Sequence, residues 1–396
     1  MRVLFATFAW RSHYYPLVPL AWALANDGHD VRVACQPSLA GVVAETGLSP
    51  VVTGQDVDMG ALARRDIDSG PRASGSMRQF RDAKEQTAAL ALTRFRTIAE
   101  AMADDLVSYA RAWRPDLVVY EPIAYAGALA AELLGVPAVR HTWGVDSVAT
   151  FQAMEAEVLR PLWRRFGLDE VGTLQDLVVD PCPPDLQLPF DVVDRGAPIQ
   201  PMRYVPYNGS AVLPDWLLAE PERPRVCVTW GTSMPAITGS LALAEQALAA
   251  AARTDAEVVL AILDSHRARL GELPEGVRVA ESLPLHAVLR HCSAVVHQGG
   301  AGTTLTAVTT GTPQIIVPTM GDQFMNAERI ATGGAGLYLE QQDLGPDLLV
   351  ESLDKVLTDP AYRAATAGIA DRNAAQPTPA HVAGVLARLV TDREQT

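Results

Sequence analysis

The sequence predicts an α/β protein made of two doubly wound parallel-sheet domains that face each other across a cleft. Three observations support this prediction. Short, continuous apolar runs alternate with helical segments, as in buried parallel strands covered by helices on both faces. The alternation stops in a proline-rich stretch over residues 181–224 and then begins again. At 396 residues, the chain is long enough for two domains of ordinary size.

The first half begins with a strand and continues in strand–helix order. Residues 2–8 form an apolar run typical of a buried strand, and a helix is predicted over residues 16–26, ended by Asp27 and Gly28. Residues 55–82 are rich in Asp, Arg, Ser and Gly, which predicts an irregular excursion at the mouth of a substrate site. Further elements are predicted at residues 31–34, 117–120 and 138–139 (strands) and 124–134 (helix).

The second half repeats this pattern, so we divide the chain into two domains. The first domain spans residues 1–205, the linker 206–224 and the second domain 225–378, with a closing helix near residues 379–396. A cleft between two such domains is the usual place for a ligand. Within the second domain, strands are predicted at residues 226–229, 258–262, 277–280, 315–317 and 336–339, and a helix at 240–252.

Composition and charge exclude several classes of partner. The net charge of −14 argues against nucleic acid and against an anionic membrane surface. Residues 1–5 show no signal-peptide pattern, and the chain has no apolar run of membrane length, so we expect a cytoplasmic protein. The cysteines are far apart without metal-type spacing, which predicts buried free thiols at Cys35, Cys182, Cys227 and Cys292.

A glycine-rich turn over residues 294–304, AVVHQGGAGTT, predicts a diphosphate site. The helix that follows the turn begins with free backbone N–H groups and the positive end of its dipole, which attract a phosphate. Glycines at 299, 300 and 302 let the backbone approach the anion closely. An isolated turn of this kind is equally consistent with a simple strand-to-helix connection, so the surrounding residues decide. Further donors are Thr303, Thr304 and His297.

The surrounding motifs resemble the donor-binding segment of GT-B glycosyltransferases, which use nucleotide-activated sugars. The motifs are ESLPLHAVL at 281–289, GTPQIIVP at 311–318 and GDQFMNA at 321–327. Segments 20–24 (LAWAL) and 202–209 (MRYVPYNG) are similar to actinobacterial antibiotic enzymes. The resemblance covers nearly the whole chain. It implies the GT-B fold, with the closing helix packed back on the first domain, and transfer of a deoxysugar to a hydrophobic aglycone such as a polyketide in antibiotic biosynthesis.

The resemblance also implies a catalytic histidine at His13. In the family, a histidine after the first strand, just before a proline-headed helix, is the general base, and a neutral imidazole can accept the proton of an acceptor hydroxyl. Glu121 matches the acidic residue that orients this base, although the family more often has Asp there. Asp146 is a rival partner for His13, or a rival base.

The remaining binding residues are assigned by the same resemblance. Thr232 and Ser233 are expected at the donor phosphates or sugar, and Leu283 where backbone groups read the edge of a pyrimidine base. His297 and the amides from Gly300 through Gly302 and Thr303 are expected to hold the departing diphosphate, beside Gln298, where the family more often has a second histidine. Asp322 and Gln323 match the pair that reaches the sugar hydroxyls. Apolar acceptor walls are expected from Tyr14, Tyr15, Trp143 and Phe151, each of which is equally consistent with a core position.

We expect an inverting reaction without a metal ion or cofactor, with a TDP- or UDP-sugar as the co-substrate. No acidic pair of the D-x-D type stands where a metal would bridge the diphosphate. The expected partners are the nucleotide-diphosphate sugar and a small hydrophobic aglycone. A need for a helper protein, formation of a homodimer, the identity of the sugar, and an O- or C-glycosidic bond all stay open.

The sequence fits three other functions less well. A nucleotide-sugar epimerase of the same fold needs acids placed for proton removal from the sugar, and none is located. A dinucleotide oxidoreductase is weaker still, since no G-x-G-x-x-G follows the first strand. A non-catalytic auxiliary binding subunit of this fold is expected to lack the histidine at position 13, and His13 is present.

Overall fold

The computed structural model describes residues 1–69, 76, 78–79, 84–188, 196–238 and 240–394. Its first half contains a parallel sheet whose strands are β1 (Arg2–Ala6), β2 (Asp30–Cys35), β3 (Ser49–Val52), β4 (Leu117–Tyr120), β5 (Ala138–His141), β6 (Leu177–Asp180) and β7 (Ile199–Pro201). Their spatial order is β3-β2-β1-β4-β5-β6-β7. The order reverses at β1, which is the topological switch point where doubly wound sheets bind ligands.

Helices cover both faces of this first sheet. They are α1 (Arg11–Tyr14), α2 (Val18–Asn26), α3 (Ala40–Glu45), α4 (Met59–Ser69), α5 (Lys84–Trp113), α6 (Tyr125–Leu134) and α7 (Gln152–Arg165). Alternate residues of β1 enter opposite cores, with Leu4 on one face and Val3 and Phe5 on the other. This continuous burial explains the apolar run at the start of the sequence.

Two local predictions for the first half are corrected by the structure. The predicted excursion over residues 55–82 contains α4, whose Met59 and Ala63 lie one helical turn apart and line the same cavity. The polar composition hid this short apolar face, and residues 70–75, 77 and 80–83 lie outside the described residues. In addition, α2 begins at Val18 rather than Pro16, because residues Tyr15–Leu17 form a 3-10 turn.

The second half contains another parallel sheet with helices on both faces. Its strands are β8 (Arg225–Thr229), β9 (Glu257–Ile262), β10 (Arg278–Glu281), β11 (Ala294–His297), β12 (Gln314–Ile316) and β13 (Gly336–Tyr338), in the order β10-β9-β8-β11-β12-β13. Its helices are α8 (Ser233–Thr238), α9 (Ala242–Ala251), α10 (Asp264–Arg267), α11 (Leu285–Leu289), α12 (Ala301–Thr309), α13 (Asp322–Thr332), α14 (Pro346–Thr358) and α15 (Pro360–Ala374). The predicted fold class, two doubly wound parallel-sheet domains, is therefore confirmed.

The closing helix α16 (Pro379–Glu394) packs against the first sheet rather than the second. Val382, Leu386 and Val390 are buried in the same core as Val3 and Phe5. The chain thus crosses from the second domain back to the first at its end. This crossing gives the two domains a second covalent connection besides the linker.

The four cysteines are free and buried, as predicted from their spacing. Within the described ranges, no helix is both long and apolar enough to span a membrane.

Candidate functional site

A cavity of about 660 Å³ lies between the two domains, at the carboxyl ends of their strands. The first domain contributes an apolar wall and the short helix α1, which carries His13. The second domain contributes the glycine-rich turn and the N-terminus of α12. A histidine and a helix N-terminus therefore face each other across one cavity.

His13 and Glu121 form the centre of the first-domain side. His13 Nδ1 lies 3.0 Å from Glu121 Oε2, and the Glu121 side chain is fully buried. Glu121 Oε2 also accepts the backbone N–H of Ile123 at 3.3 Å. With Nδ1–H donated to the carboxylate, the lone pair of a neutral imidazole lies on Nε2. The structure thus joins the predicted base to one of its two predicted partners.

Two aromatic rings enclose the imidazole of His13. The ring of Trp143 lies 4.0 Å away between centroids and is tilted by 47°. The ring of Phe8 approaches edge-on, at 4.9 Å and 70°. His13 is consequently held on one side by a carboxylate and on others by apolar rings, so its rotation is restricted.

Asp146 makes its hydrogen bonds elsewhere, which corrects its prediction as a partner of His13 or a rival base. Its carboxylate accepts the backbone N–H of Ala149 at 3.1 Å, at the start of the turn Val148–Phe151. Its own backbone N–H donates to Gln187 Oε1 at 2.9 Å. Asp146 is buried and absent from the residues that line the cavity. Its side chain therefore shapes a loop, while Glu121 holds the imidazole.

The glycine-rich turn brings backbone amides to the cavity, as its sequence pattern predicts. Gly299 has φ of +89°, and a Cβ there would lie 2.8 Å from Ile316 Cγ2 and 3.0 Å from the Gln323 carbonyl oxygen. Gly300 is the N-cap of α12. Both features require glycine or favour it, because the chain turns sharply and passes close to its neighbours. The result is a helix N-terminus that opens on the cavity.

His297 does not donate to this anion site, which corrects its predicted role. Its Nδ1 accepts the backbone N–H of Gly299 at 3.0 Å, and its Nε2 lies 2.9 Å from Gln314 Oε1. Burial lowers the pKa of His297 to about 4, so the ring is neutral at pH 7. A ring with both nitrogens occupied inside the protein fixes the glycine turn and brings no charge to the ligand.

The next residue, Gln298, lines the cavity, whereas His297 does not. The side chain is 4% exposed and its amide lies in the space left by two glycines: a Cβ at Gly231 would be 2.5 Å from Gln298 Nε2 and one at Gly300 2.8 Å. Its Oε1 is buried and accepts no hydrogen bond from the described residues. The exchange of histidine for glutamine, visible in the sequence, therefore places an uncharged amide beside the helix terminus.

Ser233 was predicted to contact the donor, yet its hydroxyl joins the two domains. Trp10 Nε1 donates to Ser233 Oγ, and Ser12 Oγ lies 3.2 Å from the same atom. Ser12 lies on α1, the short helix that carries His13, and Trp10 is the N-cap of that helix. Thr232, the neighbouring prediction, lines the cavity.

The other predicted donor residues also line the cavity. Gln323 Oε1 accepts the Thr319 backbone N–H at 3.0 Å and its hydroxyl at 2.9 Å. Desolvation raises the pKa of Asp322, and the nearby His13 partly opposes this shift. The remaining members of this set are Leu283, Gly300, Gly302 and Thr303.

Tyr14 is not an acceptor wall, which corrects another prediction. It is fully buried, and its hydroxyl bonds to Thr46 Oγ1 at 2.7 Å. Burial also raises the pKa of Tyr14 well above its usual value. The neighbouring Tyr15 lines the cavity, as do Trp143 and Phe151.

One wall of the cavity was missed in the sequence. Helix α5 presents Ala88, Ala91 and Phe95 to the cavity, at helical spacing, together with the guanidinium-bearing Arg94. The apolar i, i+3, i+7 pattern was available as a signal for one buried helix face. What it could not show was that this face borders a cavity.

Comparison with known proteins places the geometry in a family. The model for erythromycin biosynthesis protein CIII-like proteins, N-terminal domain, matches residues 22–231, and the corresponding C-terminal domain model matches residues 245–389. A curated relative, the 10-deoxymethynolide desosaminyltransferase of Streptomyces venezuelae, is 36% identical, with 100% of this chain and 98% of the relative covered.

Two solved structures are similar over almost the entire chain. Spinosyn rhamnosyltransferase SpnG in complex with spinosyn aglycone has a TM-score of 0.83 at 33% identity, covering 98% of this chain and 100% of that one. Glycosyltransferase VinC in complex with dTDP has a TM-score of 0.82 at 34% identity, covering 99% and 100%. Among the residues described here, no group of three or more His, Cys, Asp or Glu is placed to hold a metal ion.

Proposed function

Because the chain belongs to the family of erythromycin biosynthesis protein CIII-like glycosyltransferases, we propose that it transfers a deoxysugar from a TDP-sugar to a hydrophobic aglycone such as a polyketide. The sugar is transferred with inversion at the anomeric carbon. The single observation that carries this proposal is the His13–Glu121 pair, which faces the N-terminus of α12 across one cavity. The complexes of the two similar structures with an aglycone and with dTDP support the two substrate classes.

His13 is the general base of the proposed reaction. Its Nε2 takes the proton of the acceptor hydroxyl while the hydroxyl oxygen attacks the anomeric carbon. The bond from that carbon to the diphosphate oxygen breaks, and its electron pair leaves with the diphosphate. The imidazolium that forms is stabilised by the buried carboxylate of Glu121, 3.0 Å from Nδ1.

The N-terminus of α12 receives the negative charge of the leaving diphosphate. Backbone amides at Gly300 to Thr303 and the positive end of the helix dipole are oriented before the reaction begins. Gln298 adds an uncharged amide beside them. Each preorganised donor of this kind contributes on the order of 3 kcal/mol to stabilisation of the transition state. No metal ion is needed in this scheme, since these groups meet the charge.

The donor sugar and the acceptor occupy the two remaining parts of the cavity. Asp322 and the amide of Gln323 bind the sugar hydroxyls in this proposal. The apolar wall from α4, α5 and Phe151 faces the aglycone. Thr232 and Leu283 border the nucleotide.

The test is a transfer assay with the full chain, TDP-deoxysugars and a panel of polyketide aglycones, in the presence of EDTA. We expect release of TDP with formation of a glycoside whose anomeric configuration is inverted, read by NMR. His13→Ala is expected to lower kcat by about 10²–10⁴-fold, the usual contribution of a general base. Its affinity for TDP, measured by calorimetry, should match that of the wild type, because His13 is across the cavity from the diphosphate site.

Other outcomes assign other functions. Conversion of the donor to an epimer without acceptor would favour the epimerase, and TDP binding without any transfer would favour an auxiliary subunit. Activity that appears only with added partner proteins, or that depends on protein concentration, would reveal a helper protein or a homodimer. Tight binding of UDP in place of TDP would change the donor class and leave the mechanism intact.

A further inference from the structure

We infer that Trp143 is a positioning residue for the general base: the face of its indole stabilises the imidazolium of His13 in the transition state. This inference rests on the proposed function and adds a role that acceptor binding does not include. Trp143 was expected only as a wall for the aglycone. In the structure its ring also lies against the imidazole of His13, 4.0 Å away between centroids and tilted by 47°.

The geometry favours a contact between the indole and a cation. The ring centroids of Trp143 and His13 are 4.0 Å apart, inside the roughly 6 Å range over which an aromatic face attracts a cation. Tryptophan offers the strongest such face among the aromatic side chains. Because Glu121 bonds to Nδ1 in the ring plane, the carboxylate and the indole act on different sides of the same imidazole.

The loop that carries Trp143 is fixed from several directions. Thr142 donates its backbone N–H to Val179 at 2.9 Å and its hydroxyl to Asp180 at 3.2 Å. The Gly144 carbonyl accepts Gln187 Nε2 at 3.3 Å. The backbone on both sides of Trp143 is therefore fixed before substrate binds, and a preorganised group stabilises charge without reorganisation.

The donor domain also contacts this loop. A Cβ on Gly144 would lie 2.9 Å from the Cβ of Ala301, the first residue of α12. The backbone next to Trp143 thus packs directly on the helix whose N-terminus faces the diphosphate. Trp143 is consequently positioned by both domains at once.

The charged groups around His13 act on the imidazolium by charge, which differs from the contribution of the indole. Glu121 follows β4 and pairs with Nδ1, Asp322 begins α13 across the cleft, and Arg11 lies on the same short helix as His13. Both carboxylates favour the imidazolium by charge, whereas Trp143 and Phe8 remove water from its faces. A protonated ring that loses water pays a free-energy cost, and attraction to a π face compensates for part of that cost.

The affected step is the proton transfer itself. The acceptor O–H bond breaks, its proton forms a bond to His13 Nε2, and the oxygen electron pair forms the new bond to the anomeric carbon. The positive charge on the imidazole exists only after this transfer has begun. Stabilisation by the indole therefore acts on kcat, while a wall for the aglycone would act on the KM of the acceptor.

The first test compares Trp143→Leu and Trp143→Phe with the wild type. We expect Trp143→Leu to lower kcat about fivefold, which corresponds to ~1 kcal/mol, and Trp143→Phe to lower it less. The acidic limb of the kcat/KM profile should move to lower pH in Trp143→Leu, because the protonated ring has lost a stabilising neighbour. Trp22→Leu, which removes an indole outside this cavity, is the matched control and should change neither quantity.

A second readout needs no turnover. Protonation of an imidazole stacked on an indole quenches the indole fluorescence, so the wild type should lose emission as the pH falls. The quenching should be absent from both Trp143→Phe and His13→Gln, even if Trp143→Leu fails to fold. Equal quenching in all three proteins would overturn the inference.

The kinetic result separates this inference from the proposed function. A raised KM for the acceptor, with kcat and the acidic limb unchanged in Trp143→Leu, would show that Trp143 is a wall only and would overturn the inference. A wild type that neither binds TDP nor transfers a sugar would instead overturn the proposed function. In that case the fluorescence titration would still decide whether Trp143 contacts the protonated ring.

Discussion

At the scale of single residues, Glu121 stands where the resemblance implies that Asp is more common. In this chain the longer side chain places one carboxylate oxygen 3.0 Å from His13 Nδ1. The other oxygen, Oε1, is buried and accepts no hydrogen bond from the described residues. A buried carboxylate oxygen without a donor costs free energy. The charge is thus retained at a cost in stability, for the pair that it makes with the base.

We predict that Glu121→Gln lowers kcat by about 10²–10⁴-fold. The amide has the same size but carries no charge to stabilise the imidazolium. Glu121→Asp keeps the charge, but its shorter side chain does not come as close to His13 Nδ1. Its kcat should therefore lie between that of the wild type and that of Glu121→Gln. The measurement is single-turnover transfer, with TDP affinity as the control that should stay constant. Full turnover by Glu121→Gln would contradict the pairing.

At the scale of elements, the connection from β11 to α12 determines where the anion site opens. His297 Nδ1 fixes this connection by accepting the backbone N–H of Gly299, and Gly299 turns the chain at φ of +89°. Asn326 Nδ2 donates to the Gly299 carbonyl at 2.8 Å. A helix terminus is useful for binding only if this turn is rigid. The three residues stiffen the turn, although none of them lines the cavity.

We predict that Gly299→Ala destabilises the second domain by about 1–3 kcal/mol and abolishes TDP binding. An alanine at this position would have to keep the unfavourable φ of +89°, and its Cβ would lie 2.8 Å from Ile316 Cγ2. Gly271→Ala is the matched control, because a Cβ there meets nothing within 4 Å and the residue lies outside the lining of the cavity. Chemical denaturation and calorimetry with TDP measure both variants. Equal stability of the two would refute this account of the turn.

At the scale of the whole molecule, hydrogen bonds between the domains reach the short helix that carries His13. Trp10 and Ser12, close to His13 in the chain, bond to Ser233 at the start of α8. Arg64 Nη1 donates to the Ile237 carbonyl at 3.1 Å. The side chain of Asn373 also joins the domains, because it bonds to the backbone N–H and carbonyl of Tyr204. The cavity therefore has its present shape only while the two domains are held together.

A double-mutant cycle tests this arrangement. We predict that Trp10→Phe and Ser233→Ala each lower kcat/KM for the donor, and that the double variant is no worse than Ser233→Ala alone, which has already lost the bonds to both Trp10 and Ser12. The coupling energy should be about 1 kcal/mol, the usual contribution of one hydrogen bond. Additive effects, with a loss of TDP affinity in Ser233→Ala alone, would restore the direct donor contact predicted from the sequence.

Local patterns predicted much of the site, and their failures share a cause. The glycine turn, His13 and Glu121 were found because each depends on a short segment with a recognisable motif. His297 and Tyr14 were assigned to the ligand, and Asp146 was assigned as a rival partner of His13 or a rival base. These side chains instead bond to Gln314, Thr46 and Ala149, respectively. A sequence shows that a polar side chain is near a site, but not the direction in which that side chain points.

The sequence by itself determined the two-sheet architecture, the family and the glycine-rich helix entrance, because periodicity and turn chemistry act over a few neighbouring residues. Only the tertiary structure decided which acid holds His13, that the ring of Trp143 lies against it, and that Ser233 joins the domains. Each of these contacts joins residues more than a hundred positions apart. Their distances depend on how the sheets and domains pack, which no local pattern in the chain encodes.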